Sequence, residues 1–297
     1  MQVAKTRGVV DVLADGYRVL NRHLWLLILP IVLDLFLWLG PEITAQSAAT
    51  ELVQRSPDVE GVSEVLSDVN LLGVVAWRFS SAVGVIRLDP EGALDLDSGG
   101  AVAAVTLAAL VFGLMIFSVY YTLVASVISG PHGSKATLAR RATTGFVRLA
   151  LVWGVLIVIA FAVMTVVGLL TFGGPVGETL AGLLILLAGI TAMFVWLLLY
   201  LVQPAIFVGG LGARAAVRQS AAVVRANFGA MLRLFVLIVL ITFGTGIAWQ
   251  GIVERGAGAL IAIIGNAYVA TGLAVAVPLF YLDRVRMPAP PAPNAAG

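Results

Sequence analysis

Six apolar stretches leave this chain few folds to choose from. They run over about Leu24–Gly40, Ala101–Ser129, Leu149–Phe172, Val176–Phe207, Met231–Ile252 and Ala257–Leu282. A helix needs about 20 predominantly apolar residues to cross about 30 Å of hydrocarbon, and each stretch meets or approaches that length. Inside lipid every backbone N–H and C=O must find its partner within the protein, which restricts spanning segments to helices and closed barrels. Composition agrees with lipid as the solvent. Of 297 residues 60% are apolar and 11% charged, against about 25% charged in ordinary soluble domains. The expected fold is all-α, a polytopic transmembrane helix bundle of six spans.

Charge orients the spans. With the N-terminus placed in the cytoplasm, fourteen of the 18 Lys and Arg residues fall in inside segments. Arg55, Arg78, Arg87 and Arg255 are the remainder. Loops rich in Lys and Arg stay on the cytoplasmic side, so both termini are expected in the cytoplasm of a plasma-membrane protein. Twelve of the 16 acidic residues lie outside, which corroborates the direction. The apolar run Leu71–Leu88 carries Arg78 and Arg87, and counting it as a seventh span would invert the charge bias of every later loop. It reads instead as an outer-face amphipathic or re-entrant helix. Leu24–Leu39 could pass for the apolar region of a cleaved signal, but 23 residues precede it and Asp34 interrupts it.

A repeat organises the spans. Arg141–Ala142–Thr143–Thr144–Gly145 resembles Arg225–Ala226–Asn227–Phe228–Gly229, and both sit just before a span. A fainter copy, Val19–Leu20–Asn21–Arg22–His23, precedes the first span. Gly173–Gly174–Pro175 and Glu254–Arg255–Gly256 read as tight turns. The layout is therefore three units, each a basic elbow helix followed by two spans. An outer-face insertion, residues 41–100, separates the first pair. In it Ser56–Pro57 opens a predicted helix, and the Pro/Ala-rich tail Met287–Gly297 is expected to be disordered.

Polar residues at unusual places are the candidate sites. Asp34 is the one acidic residue deep in a predicted span. A central Asp costs about 2.5–3.5 kcal/mol on insertion scales and usually faces the bundle interior or water. It either handles a proton or cation, or fixes helix packing through a hydrogen bond or ion pair; packing is the commoner use. Gln203, beside the kink-prone Pro204, and Asn266 are candidates for bonds between helices. Arg214, Arg218 and Arg225 fall within roughly 40° of one another at about 100° per residue, and a basic stripe of this kind suits the headgroup level. With Arg141 and Arg148 they are the candidate contacts to anionic lipid. Such residues contribute about 1 kcal/mol each near an anionic surface, so topology and non-specific attraction explain them adequately.

Other chemistries lack their residues. There is no cysteine, which removes disulfides, thiolate metal sites and cysteine nucleophiles. Gly209–Gly210–Leu211–Gly212 follows a membrane helix rather than a strand, so it is no dinucleotide loop. Gly133–Ser134–Lys135 lacks phosphate-loop spacing. His23 and His132 lie on the opposite side from most carboxylates, and no aromatic-plus-basic platform exists for nucleic acid. No catalytic residue, cofactor or metal site is expected.

The stretch Pro204–Ala205–Ile206–Phe207–Val208–Gly209, followed by Ala213–Arg214–Ala215–Ala216–Val217–Arg218–Gln219–Ser220, resembles a pattern in uncharacterised prokaryotic six-span membrane proteins. It looks like the membrane domain found fused to glycerophosphodiester phosphodiesterases. The resemblance implies membrane location; the phosphodiesterase domain has no counterpart in these residues, so no catalytic role carries over. Two functions are weighed: a non-enzymatic scaffold or lipid- and envelope-associated component, and a transporter or permease subunit using Asp34.

Overall fold

The computed structural model describes residues 7–55, 70–76, 93–130, 135–171, 174–253 and 257–285, and it is about 89% helical. The helices are α1 (Val9–Arg22), α2 (Ile28–Leu39), α3 (Gln46–Arg55), α4 (Gly99–Ser129), α5 (Lys135–Thr171), α6 (Gly174–Leu199), α7 (Val202–Phe207), α8 (Ala213–Ala226), α9 (Phe228–Val253) and α10 (Gly258–Val285). Short 3₁₀ turns occupy Leu24–Leu27 and Leu71–Ala76. Among the described residues, five helical segments are long and apolar enough to cross a membrane: Gly99–Ser129, Ala136–Thr171, Gly174–Phe207, Phe228–Trp249 and Gly258–Val285. A sixth candidate is the pair Val9–Arg22 and Leu24–Leu39, bent by 96°.

The residues group into two compact units. The first comprises Met1–Gly16, Ala125–Leu237 and Ala276–Gly297, the second Tyr17–Val124 and Ile238–Val275.

In the first unit α5 and α6 form a hairpin, closed where Gly177 lies against the Leu170 carbonyl. Trp153 and Trp196 meet edge-on across it at 6.3 Å. The helix breaks at Tyr200–Leu201 before resuming as α7. Pro204 is the cause, since it has no N–H for the Tyr200 carbonyl and its ring crowds that oxygen. Ser220 of α8 repairs the break: its Oγ accepts from the Leu201 N–H at 3.2 Å and donates to the Leu198 carbonyl at 2.6 Å. Buried backbone groups at a helix break need such partners.

In the second unit α2 has three sides. Ile28, Val32, Phe36 and Leu39 are exposed. Leu33 and Leu37 are buried with Val75, Ala76 and Ala109. Ile31, Leu35 and Trp38 pack on Ala259 and Ile263 of α10. The turn Leu71–Ala76 thus lies against α2 and α4, and so close that a Cβ on Gly113 would meet the Val75 backbone. The ends of the insertion are tied by a two-residue parallel ladder, β1 (Ile43–Thr44) with β2 (Leu94–Asp95). Asn70 Oδ1 accepts from the Ile43 and Leu72 N–H groups at 3.3 and 3.0 Å. Asp95 closes the start of α3, accepting from the Ser47 N–H at 3.0 Å, from the Ser47 hydroxyl and from the Thr44 hydroxyl at 3.3 Å.

Several expectations change. The second elbow is not a separate helix, because α5 runs unbroken from Lys135 through the predicted span start at Leu149. Among the described residues, α1 and α8 are the predicted elbows that form separate helices. The first predicted span, Leu24–Gly40, begins as a 3₁₀ turn and contributes only twelve α-helical residues. Gln46–Arg55, within the insertion, forms a helix. The predicted helix opening at Ser56–Pro57, residues 77–88 of the amphipathic run, Gly173, Glu254–Arg255–Gly256 and the tail lie outside the described residues.

Candidate functional site

The strongest pattern joins α1 and α8. Both contain 14 residues, and their first residues, Val9 and Ala213, define a fixed offset along the chain. At that offset Gly8 matches Gly212, and both helices end alike. His23 (φ −138°, ψ 51°) and Asn227 (φ −127°, ψ 33°) leave the helix in nearly the same conformation. Each returns a side-chain nitrogen to the carbonyl four residues back, His23 Nδ1 to Val19 at 3.0 Å and Asn227 Nδ2 to Val223 at 3.1 Å. Burial follows suit: Val12, Gly16 and Leu20 are buried in α1, and Ala216, Ser220 and Val224 at the matching positions of α8.

The starts of the two helices are held the same way as well. Arg148 Nη1 donates to the Gly210 and Leu211 carbonyls at 2.8 and 3.2 Å. Arg284 Nη2 donates to the Arg7 carbonyl at 3.1 Å. Leu211 and Arg7 are matching residues, two positions before their helices. The resemblance in sequence covers Val19–His23, the last four residues of α1 and His23 after it, and the glycine before each helix lies at the same offset. Thr143, at the middle elbow, also bonds four residues back, to Ala139 at 3.1 Å, yet there the helix continues.

Charge separates the twins. In α1 Asp11 Oδ2 accepts from the Gly8 N–H at 3.1 Å, and Asp15 pairs with Arg7 at 3.0 Å. The α8 sequence, ARAAVRQSAAVVRA, has no acid at all. Arg214, Arg218 and Arg225 are exposed, and Ala216, Ser220, Val223 and Val224 are buried on the other side. Gly212, Ala213, Arg214, Ala215, Arg218, Gln219 and Ala222 line an open, shallow depression there. Arg141 is exposed on α5. Arg148 differs from these, since its guanidinium is engaged by loop carbonyls.

The intramembrane candidates divide between the units. Gln203, in the first, is half-buried beside Pro204. Asp34 and Asn266, in the second, are 3% and 4% exposed. Ser118 and Thr122 of α4 are buried too, but each gives its hydroxyl to a carbonyl of its own helix, at 2.8 and 2.7 Å. Among the glycines of α9 and α10, Gly265 lies against the Trp249 ring and Gly272 against Tyr17, whereas Gly244 and Gly246 have open space beside them. Tyr17 donates to the Val269 carbonyl at 3.2 Å, and Tyr268 to Asn21 at 3.0 Å. No group of three or more His, Cys, Asp or Glu side chains among the described residues is placed to hold a metal ion. No family model matches the chain, and neither a curated protein nor a solved structure matches it.

Proposed function

We propose that this chain is a non-enzymatic, multi-pass component of the cell membrane that holds its basic elbow side against anionic headgroups of the cytoplasmic leaflet, as a scaffold or lipid-associated partner. The carrying observation is α8. One side of it is buried in protein, which fixes its orientation, and the opposite side presents three arginines with no acid among them. A basic helix anchored in this way sits where anionic lipid attracts it, at about 1 kcal/mol per residue. The bias of Lys and Arg toward the elbow segments supports a cytoplasmic placement of that side and of both termini.

Spin-labelled phosphatidylserine and phosphatidylcholine, compared in bilayers holding the purified chain, test this. The wild type is expected to retain the anionic lipid preferentially, and less so as salt rises. Arg214→Gln, Arg218→Gln and Arg225→Gln together should remove most of that preference, while Arg18→Gln in the charge-compensated α1 should leave it. A triple variant with undiminished selectivity would remove the support for the reading.

A second reading, a transporter or permease subunit, is favoured by one observation. Asp34 sits on the side of α2 turned away from its exposed residues, buried to 3%.

A further inference from the structure

The sides of α2 define where Asp34 points. At about 100° per residue, Asp34 falls between the side carrying Leu33 and Leu37 and the side carrying Ile31, Leu35 and Trp38. The first packs on Val75, Ala76 and Ala109, the second on Ala259 and Ile263. Asp34 therefore faces the seam between the Leu71–Ala76 turn with α4 on one flank and α10 on the other. Asn266, buried to 4%, lies three residues beyond Ile263, about one helical turn further along α10 and on the same side. Pro30, also buried, is one turn from Asp34 on α2 and has no N–H to bond within the helix.

The turn that flanks this seam reaches far along the spans. From Gly99, where α4 begins, to Gly113 is about 21 Å along the helix axis, and Gly113 is where the Val75 backbone rests. A segment from the insertion is thus wedged against α2 and α4, well inside the length of α4.

We propose that this seam binds a single positive charge, a proton or a sodium ion, at Asp34, with Asn266 beside it, and that Leu71–Ala76 is the gate closing it from the insertion side. One carboxylate balances one unit of charge. A calcium ion takes six to eight oxygen ligands, commonly several of them carboxylates, and α2 offers a single acid. Intramembrane acids that face a protein interior commonly mark ion or proton paths. The proposal deepens the transporter reading and rests on it; its test measures binding without flux, so the site can fail while transport stands, and the reverse.

Dicyclohexylcarbodiimide, which enters lipid and modifies protonated carboxyls, is the probe, applied to the full chain in nanodiscs and read by mass spectrometry, with Asp34→Asn as the control. Modification of Asp34 is expected to slow several-fold as pH rises. Slowing by pH alone identifies the proton, and further slowing by sodium at fixed pH identifies the ion. A rate indifferent to both, or no modification in any form of the protein, overturns the site. For the gate, Gly113→Val should displace the Val75 backbone and speed modification. A Val75→Cys/Ala109→Cys pair, in a chain with no cysteine of its own, should slow it when oxidised and release it when reduced. Equal rates across these forms overturn the gate.

Discussion

Ser220 shows how much one hydroxyl can hold. It bridges the Leu201 N–H and the Leu198 carbonyl beside the break in the helix, at a position with no exposure. Ser220→Ala strands both, and leaving a buried backbone group unbonded costs about 1–3 kcal/mol. Denaturation of the purified chain in SDS should shift its midpoint by a loss of that size, and Ser220→Thr should recover part of it. Asp95 does comparable work at the insertion. The Ser47 hydroxyl, then further bonds from Ser47, Thr44 and Gln46, hold its carboxyl below the ordinary value of 3.8, outweighing the opposing effect of burial. A depressed folded pKa means stability present above the unfolded value and lost as pH falls through the folded one. Hydrogen exchange at Leu94 and Leu96, whose N–H groups bond Glu42 and Thr44 at 2.8 and 3.1 Å, should therefore rise relative to its intrinsic rate only in strong acid. Asp95→Asn should show raised exchange already at neutral pH. Neither residue's role was legible beforehand, because each depends on a partner far away in sequence.

Elements were read best where lipid alone dictates them. The apolar runs of α4, α6, α9 and α10 stand out because a helix in hydrocarbon has no alternative way to satisfy its backbone. Ends of helices are set by finer chemistry, and there the sequence spoke less clearly. Arg141–Ala142–Thr143 looks like Arg225–Ala226–Asn227, yet α5 continues where α8 stops. Thr143 bonds its hydroxyl back along an unbroken helix, and Gly145 two residues later is pressed against the Phe207 ring, which a straight helix allows. His23 and Asn227 instead take backbone angles outside the helical range. Glycines in the spans are likewise ambiguous until neighbours are known. Gly265→Val must push into the Trp249 ring, and overpacking of this kind costs about 1–3 kcal/mol. Gly244→Val has open space beside it and should cost well under that. Thermal unfolding of the two variants in detergent measures the contrast; equal losses would contradict the packing of α9 on α10.

For the molecule as a whole, single cysteines placed near Arg141 and Arg218 should react with a membrane-impermeant maleimide from the same side, and one at Ser47 from the other. Labels on opposite faces for Arg141 and Arg218 would undo the orientation. The surroundings of Asp34 are half legible: its acid stands out in the sequence, while the turn that flanks it reads there as part of an outer-face amphipathic or re-entrant helix. Nothing in local pattern says that Val75 will meet Gly113. The same holds for the bond from Arg284 to the Arg7 carbonyl and for Tyr17 on Val269, which join the two ends of the chain. Arg284 leaves the ribosome 277 residues after Arg7, so α1 must wait for the bonds it makes to α10. Until α10 is made, Arg7, Tyr17 and Asn21 lack the partners of these bonds. Chains arrested before α10 should therefore be recognised as unfinished by their loose leading helix, which makes docking of α1 a natural checkpoint for completed assembly.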